Sequence, residues 1–272
     1  SQGLETSFPD IVAGALNISA DRIKYIQGDT DYLPSGRGSG GSAATITGGS
    51  AVINAAEILI QTGNQIAADV LKCDISDIHY NNGNFFQMND PDTALDWSEI
   101  AQYSNQPDGL DIMGEFTPSA PTYPNGCHIC EVEIDTSTGK CYVQDYVAVE
   151  DVGTALYPVL IEGQILGGIV QGISQGLGES LVYDETGQLS TGSFMDYQMP
   201  IASDFPKFRI KTHPVKTKIN PLGAKGVGES GTVGALAATL SAIQHALVSV
   251  GADAIEMPAT PHRIWQTLKQ NA

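Results

Sequence analysis

A glycine-rich stretch with one carboxylate is the part of this sequence best suited to chemistry. Residues 220–234 read NPLGAKGVGESGTVG and contain five glycines and a single acidic residue, Glu229. The apolar run 235–243 follows directly and predicts a buried helix, so the stretch lies at a helix N-terminus, where free backbone N–H groups attract anions. A carboxylate beside a bound phosphate would repel it. Any function assigned to this stretch must therefore include a separate role for the Glu229 carboxylate.

Two plainer interpretations of the same stretch stay open. The G-x-G-x-x-G dinucleotide fingerprint matches at Gly226, Gly228 and Gly231. However, the preceding residues 211–218 are polar and include Pro214, whereas a Rossmann loop follows a buried strand. The stretch could also be a turn whose glycines only let a helix pack closely.

A second glycine-rich loop occurs at residues 35–42, which read SGRGSGGS and match the same fingerprint. A helix is predicted after it, over residues 43–61. Two such loops at two helix starts indicate two sides of one anionic ligand. The alternative is that both loops are turns of a two-part fold with some internal similarity, and the spacing alone does not distinguish the two interpretations.

An apolar helix with a polar side chain inside it is predicted from Pro158 onward, because residues 159–169 read VLIEGQILGGI. Its glycines weaken a helix and are best explained by the close approach of another backbone or of a ligand. Gln164 and Gln171 are seven residues apart. They could be neighbours on one helix face that form hydrogen bonds within the protein.

The remaining patterns predict short elements. Alternation and turn residues predict strands at 23–26, 128–134, 142–150 and 209–212, and a hairpin at 78–86 that turns through Asn82 and Gly83. Helices are expected at 11–16, from 65 to about Cys73, from Trp97, and at the C-terminus, where Ile264, Trp265 and Leu268 share a face. Asp196, in the segment GSFMDYQMP, is expected to cap a turn.

Composition limits the class of function. The chain of 272 residues has a formal net charge of −18, which disfavours binding to nucleic acid or to an anionic membrane. The sequence contains no run of about eighteen apolar residues, which is the length that a membrane span needs. The expectation is a cytoplasmic protein. The chain opens with Ser1 and no methionine, which predicts a fragment, a cleavage product or one piece of a split subunit.

The cysteines do not indicate a disulfide framework or a zinc site. There are four cysteines. Cys127 and Cys130 form a C-x-x-C motif around His128, but a zinc site needs a second ligand pair, and the sequence offers none near Cys73 or Cys141.

The segment LGAKGVGESGT at 222–232 resembles the active-site loop of the molybdenum hydroxylases, the family of xanthine dehydrogenase, aldehyde oxidase and carbon monoxide dehydrogenase. Four further segments are similar to that family and follow its order: QGLETSFPDIVAGAL, GSGGSAATITGG, EGQILGGIVQGISQGLGE and GSFMDYQMP. The segment GVGESG is more similar to the bacterial aldehyde oxidase and carbon monoxide dehydrogenase branch than to the animal xanthine enzymes. Two positions depart from the pattern: Ser1 and Tyr157 stand where the family usually has glycine and asparagine.

The resemblance implies roles for individual residues. Glu229 would be the catalytic base beside the molybdenum. The remaining matches would bind the pterin cofactor: Gln2, Gly3, Gly41, Ser42, Ala43, Ala44, Thr45, Gln164, Lys225, Gly226 and Val227. No metal ligand is expected from the protein, because the dithiolene of the pterin would hold the molybdenum.

The resemblance also implies a fold and partners. The expected fold is α+β, with two layered α/β lobes of the molybdopterin-binding type: residues 1–113 with the glycine-serine loop, and residues 114–272 with the EGQ helix and the GVGE loop. The cofactor would be molybdopterin, alone or as its cytosine dinucleotide, with molybdenum. The chain would be about the last third of a large subunit. It would need the N-terminal half of that subunit, and iron-sulfur and FAD-containing flavin domains or subunits for electron transfer.

Two functions are compatible with these residues. The first is part of an oxidoreductase that hydroxylates a small molecule, such as an aldehyde or a nitrogen heterocycle, with oxygen from water. The second is a non-catalytic assembly module that has lost the cofactor. The carboxylate in the glycine loop favours the enzyme, because a scaffold has no use for Glu229 there.

Overall fold

The computed structural model describes residues 3–33, 36, 38–104 and 110–270. Within these residues, six α-helices and six β-strands are mixed, and the strands form two three-stranded sheets. The predicted α+β class is therefore confirmed. The chain divides into two compact units, with residues 1–121 and 218–224 in unit 1 and residues 122–217 and 225–272 in unit 2.

Unit 1 is built on two packed helices. They are α1 (Leu4–Leu16) and α2 (Ala44–Leu71). Glycines on α2 permit the contact, because a Cβ on Gly48 would lie 2.8 Å from the Phe8 ring, and one on Gly49 would lie 3.3 Å from Ile11. These contacts lie in the second turn of α2 and in the second and third turns of α1.

A small sheet and an aromatic core complete unit 1. The strands β1 (Ile78–Asn81), β2 (Asn84–Gln87) and β3 (Asp90–Asp96) pair in antiparallel order, and α3 (Trp97–Tyr103) follows. Phe85 is fully buried, with ring centroids 4.7 Å from both Tyr80 and Trp97. The tight turn between β1 and β2 has positive φ at Asn82 and Gly83, as an Asn-Gly hairpin requires.

Two of the expected elements in unit 1 are wrong. Residues 23–26 form no strand, and alternation over four residues is a short signal that tertiary pairing must support. The two helices expected at 43–61 and from 65 are one continuous helix, α2, of 28 residues. Its second half stays helical because Gly63 leaves room for the Phe85 ring, which would lie 2.3 Å from a Cβ there.

Unit 2 contains a larger sheet. The strands β4 (Asn125–Ile134) and β5 (Cys141–Asp151) are antiparallel, and β6 (Arg209–Thr212) joins β5 in parallel. All three were expected. The turn between β4 and β5 is stabilised by the Asp135 carboxylate, which accepts hydrogen bonds from the Ser137 N–H at 2.8 Å and from the Thr138 hydroxyl at 2.8 Å.

Three helices pack in unit 2. They are α4 (Pro158–Leu177), α5 (Ser230–Ser249) and α6 (Pro261–Gln270). Buried isoleucines recur every four residues along α4, at Ile165, Ile169 and Ile173, and form one face that packs in a core with Tyr146 and Ala148 of β5. Helix α5 packs on both α4 and β4. These contacts place the start of α5, where Glu229 lies, against the first half of α4.

The division between the units differs from the expected boundary of 113/114. It falls at 121/122, and residues 218–224 return to unit 1. Gly114 packs directly on α2, since a Cβ there would lie 2.2 Å from the Ala51 carbonyl oxygen, and the Glu115 N–H donates to Asn54 at 3.3 Å. The segment after residue 112, which has a loop-like composition, therefore lies along helix α2.

One of the described helices, α5, is long and apolar enough by length and composition alone to cross a membrane. The core helix of a folded domain passes the same test. In unit 2, the side chains of Ile243 and Leu247 of α5 are buried in a cluster with Ala259 and Ile264.

Candidate functional site

The residue predicted to act as the base begins helix α5. Glu229 is the N-cap residue, with φ −113° and ψ −9°, and its carbonyl oxygen accepts from the Val233 N–H at 3.1 Å. The Glu229 side chain caps none of the described backbone N–H groups of the helix, and the residue is exposed. Glu229 thus differs from the Asp or Asn residues that are common at this position and that cap a helix with their side chains.

The glutamine of the EGQ segment contacts the loop that carries Glu229. The Gln164 Nε2 atom donates to the Gly228 carbonyl oxygen at 3.2 Å. The second glutamine, Gln171, accepts from the Thr232 hydroxyl at 3.1 Å. Gln171 thus ties α4 to the first turn of α5, whereas Gln164 ties α4 to the loop before α5, at the residue next to Glu229.

Close approach of backbones accounts for part of the glycine content of α4, as predicted. A Cβ on Gly172 would lie 2.7 Å from the Thr232 carbonyl oxygen, and one on Gly231 would lie 2.4 Å from the Ile165 carbonyl oxygen. Gly163 and Gly167 differ, because no atom of the described residues lies within 4 Å of a Cβ placed there. Both are exposed on the same side of α4 as Gln164.

Lys225 has a protein partner in the structure. Its ammonium Nζ forms an ion pair with the Asp151 carboxylate at the end of β5. The Lys225 backbone N–H also donates to the Val152 carbonyl oxygen at 2.8 Å. Of the two residues that follow, Gly226 is buried and Val227 is half-buried. The predicted cofactor-binding segment 225–227 is therefore held against the end of β5.

The Asp151 carboxylate is stabilised in its charged form. Burial raises the pKa of Asp151, but hydrogen bonds from Lys225, from the Gly153 N–H and from the Val215 N–H, with the positive charge of Lys225, outweigh burial and bring the pKa below its ordinary value. The two N–H groups lie 2.9 Å from Oδ1. Asp151 thus joins three segments of unit 2.

In unit 1, the predicted pterin-binding residues lie at two helix starts. Gly3 is the N-cap residue of α1 with φ 71°, and its carbonyl oxygen accepts from the Ser7 N–H at 2.9 Å. Gln2 lies outside the described residues. Ala43 is the N-cap residue of α2, preceded by Gly41 at φ 57° and Ser42 at φ 54°.

The loop before α2 has open space beside its glycines. Two successive residues, Gly41 and Ser42, adopt the left-handed conformation, and Ala44 and Thr45 form the first turn of the helix. No described atom lies within 4 Å of a Cβ placed on Gly40 or Gly41. The first turn of α2 contains no acidic residue. Its free N–H groups can therefore receive an anion such as a phosphate without repulsion.

A buried polar network beneath α5 was not predicted. His128 of β4 lies between Tyr146 and Glu150 of β5, with Nδ1 2.7 Å from the Tyr146 hydroxyl and Nε2 2.6 Å from Glu150 Oε1. The His128 and Glu150 side chains are 5% and 3% exposed. The network supports α5, because a Cβ on Gly234 would lie 2.6 Å from the His128 ring. The signal in the sequence was a carboxylate on the otherwise apolar face of β5.

The two cysteines of the C-x-x-C motif do not face the same side of strand β4. Positions three apart on β4 point to opposite sides of the sheet, so Cys127 is exposed and Cys130 is half-buried. Burial raises the pKa of the Cys130 thiol to about 11. Burial likewise raises the pKa of Cys141 to about 12. Neither thiol is therefore ionised near neutral pH.

Comparison with known proteins identifies the family. Residues 1–206 match the model of the molybdopterin cofactor-binding domain. The chain is 33% identical to the carbon monoxide dehydrogenase large chain of Hydrogenophaga pseudoflava, over 99% of this chain and 34% of the relative. It is 35% identical to the nicotine 6-hydroxylase large subunit of Paenarthrobacter nicotinovorans, over 98% of this chain and 34% of that protein.

A solved structure agrees in fold. The crystal structure of a Cu,Mo-containing CO dehydrogenase in its carbon monoxide reduced state matches with a TM-score of 0.87 and 33% identity, covering 99% of this chain and 35% of the other. The chain belongs to the molybdopterin cofactor-binding domain family, and the predicted relationship to the molybdenum hydroxylases is confirmed. It spans about a third of the length of the relatives it matches.

The residues present fit a pterin cofactor with a phosphate. The α2 start offers backbone N–H groups and glycines whose missing side chains leave open space. Among the described residues, no group of three or more His, Cys, Asp or Glu side chains is placed to hold a metal ion.

Proposed function

We propose that this chain is the C-terminal part of the molybdenum-binding subunit of a hydroxylase, and that Glu229 is its catalytic base. The observation that carries this is the placement of Glu229: an exposed acidic residue at the start of α5, in a loop held by Gln164 and by Lys225. A general base must be positioned before its pKa matters, and this loop is positioned from both sides.

Each part of the chain has a defined task in this proposal. Gln2, Gly3 and residues 41–45 bind the pterin and its phosphate. Gln164, Gly226 and Val227 are further cofactor-binding residues. When bound, the molybdenum cofactor supplies the redox centre that takes two electrons from the substrate. Glu229 takes up the proton that the hydroxylating water must lose, and holds it at its carboxylate.

The substrate class follows from the reaction type. A base of this kind serves attack on an electron-poor carbon, as in an aldehyde or a nitrogen heterocycle. The names of the relatives include carbon monoxide and nicotine as substrates, which supports a small uncharged or weakly basic molecule. Electrons would leave through iron-sulfur and flavin domains of partner chains.

The test is the Glu229→Gln variant in the complete assembled enzyme. Glutamine keeps the size of the side chain but cannot accept the proton, so turnover should fall on the order of 10²–10⁴-fold while molybdenum and pterin contents stay stoichiometric. Glu162→Gln is the matched control, because Glu162 is an exposed carboxylate two residues before Gln164. Its turnover should stay unchanged.

Two results would overturn the proposal. Equal turnover in Glu229→Gln and the parent enzyme would remove Glu229 from the role of base. An assembled enzyme whose metal and pterin content does not depend on this chain would leave a non-catalytic assembly module as its function.

A further inference from the structure

The loop that carries Glu229 is held at a point four residues earlier, at Lys225. The Lys225 ammonium and the Asp151 carboxylate form an ion pair whose side chains are 12% and 13% exposed. Long, partly buried charges of this kind keep one geometry, because leaving either charge without its partner is costly. Lys225 is therefore a fixed point of the loop.

Asp151 is in turn held by the rest of unit 2. It is the last residue of β5, and its Oδ1 atom accepts from the Gly153 N–H and the Val215 N–H, each at 2.9 Å. The other carboxylate oxygen, Oδ2, accepts from Lys225. Both oxygens are thus used, and the carboxylate cannot rotate without breaking hydrogen bonds.

Only three residues separate this fixed point from Glu229. The Lys225 N–H is bonded to the Val152 carbonyl oxygen, and at the other end of the segment Gln164 bonds the Gly228 carbonyl oxygen. Gly226 and Gly228 are flexible residues, so the segment needs attachment at both ends to hold one conformation. The attachments are Asp151 and Val152 before Gly226, and Gln164 at Gly228.

We propose that the Asp151–Lys225 pair is a positioning device that sets the location of the Glu229 carboxylate, and that Asp151 acts on the loop through Lys225. This rests on the proposed function of Glu229, and it replaces the expectation that Lys225 binds the cofactor directly. Asp151 and Lys225 are positioning residues, since neither needs to touch the substrate.

The experiment uses the complete assembled enzyme with Asp151→Asn, Lys225→Met and the double variant. Misplacing a catalytic group by about 1 Å can lower turnover on the order of 100-fold. Each single variant should therefore lower kcat by about 10–100-fold, with KM and molybdenum content little changed. The double variant should be no slower than the slower single variant, because both changes remove the same link. Lys225→Arg should restore most of kcat, because it keeps the charge.

The matched controls come from a second Asp–cation pair of unit 2. Asp145 and Arg209 pair between β5 and β6, with side chains 38% and 63% exposed. Asp145→Asn and Arg209→Met should leave kcat unchanged, because an exposed ion pair contributes little and lies away from the loop. A general loss of folding would instead be seen as a lowered fraction of soluble, molybdenum-loaded enzyme in the Asp151 and Lys225 variants.

The outcomes separate the positioning role from other roles. Loss of molybdenum or pterin in Lys225→Met but not in Asp151→Asn would overturn the proposal and return Lys225 to cofactor binding. Additive losses of kcat in the double variant would also overturn it, as would a fall in active-enzyme concentration with kcat per molybdenum unchanged. If Glu229→Gln is inactive while Asp151→Asn and Lys225→Met keep full kcat, only the positioning role fails. If Glu229→Gln is active, the proposed function itself fails.

Discussion

The two glycine-rich segments at helix starts differ in how closely other residues pack against their glycines. Before α2, Gly40 and Gly41 face space in which no described atom lies within 4 Å of an added Cβ. At the start of α5, an added Cβ on Gly231 would lie 2.4 Å from the Ile165 carbonyl oxygen, and one on Gly234 would lie 2.6 Å from the His128 ring. Glycines thus leave open space in the loop before α2, whereas glycines in the first turns of α5 allow close packing.

This difference matches the chemistry expected of each loop. The α2 loop presents backbone N–H groups, which need room for a ligand but no particular side chain. The α5 loop presents Glu229, a side chain that must be held in one place. The packing beneath α5 therefore has to be tight, and substitutions there should cost more than substitutions before α2.

The largest effect is expected from His128→Ala. The change leaves the Glu150 carboxylate, in a residue only 2% exposed, without its imidazole partner. Breaking a buried pair in this way lowers the free energy of unfolding by about 3–5 kcal/mol. Chemical denaturation measures the loss. His245→Ala is the control, because His245 lines the same surface groove as His128 but is exposed. A loss below 1 kcal/mol for His128→Ala would mean that α5 does not depend on this network.

Gly231→Ala should come next. The added methyl group would be forced against the Ile165 carbonyl oxygen, and overpacking of this kind costs about 1–3 kcal/mol. Gly163→Ala on α4 is the contrasting variant, since its Cβ meets no described atom within 4 Å. It should be neutral or stabilise by up to about 1 kcal/mol, because alanine favours the helix. Thermal unfolding of the two variants in parallel measures the difference, and equal shifts would contradict the close packing at α5.

A smaller effect is expected before α2, from Gly41→Ala. The methyl group has space there, but φ is 57°, and the left-handed conformation costs a residue with a Cβ about 1–2 kcal/mol. Gly40→Ala should leave stability unchanged, because its φ is not in that region and no described atom lies near its Cβ. Differential scanning calorimetry of the two variants measures the difference in their stability. If Gly40→Ala were as destabilising as Gly41→Ala, crowding rather than backbone conformation would govern the α2 loop.

The smallest effect expected is the change with pH in the stability that Asp151 contributes. The folded pKa of Asp151 lies below its ordinary value of 3.8, so its contribution to stability is complete above that value and is lost as the pH falls through the lower folded pKa. The parent protein should therefore be more stable than Asp151→Asn at pH 7, and the difference should shrink below about pH 4. Denaturation curves across this range test it. A difference that stays constant in acid would show that the charge of Asp151 contributes nothing.

Much of the fold could be predicted because its signals are local. The strands β4 and β5, the Asn82-Gly83 hairpin and helix α4 follow from alternation, turn residues and apolar spacing, and the structure has all of them. The strand expected at 23–26 is absent from the structure, because four alternating residues do not provide a partner strand. The break expected within α2 was wrong for a related reason: the contact of Gly63 with Phe85 is not visible in the local sequence.

The candidate site divides in the same way. Glu229 could be singled out from its type and its position in a glycine loop, and Gln164 from an amide inside an apolar helix. The ion pair of Lys225 with Asp151, 74 residues away in the chain, has no comparable signal. No spacing rule links two residues at that distance, so the partner of Lys225 could not be predicted.

The sequence by itself determined the family, the candidate base and the presence of two glycine-rich loops at helix starts, because glycine spacing and a single carboxylate are properties of short segments. Only the tertiary structure decided which charges meet. The pairing of β4 with β5 brings His128 to Glu150, and the hydrogen bond between Lys225 and Val152 brings the α5 loop to Asp151. Partners far apart in the chain are chosen by how strands and helices pack, and that choice depends on the whole fold.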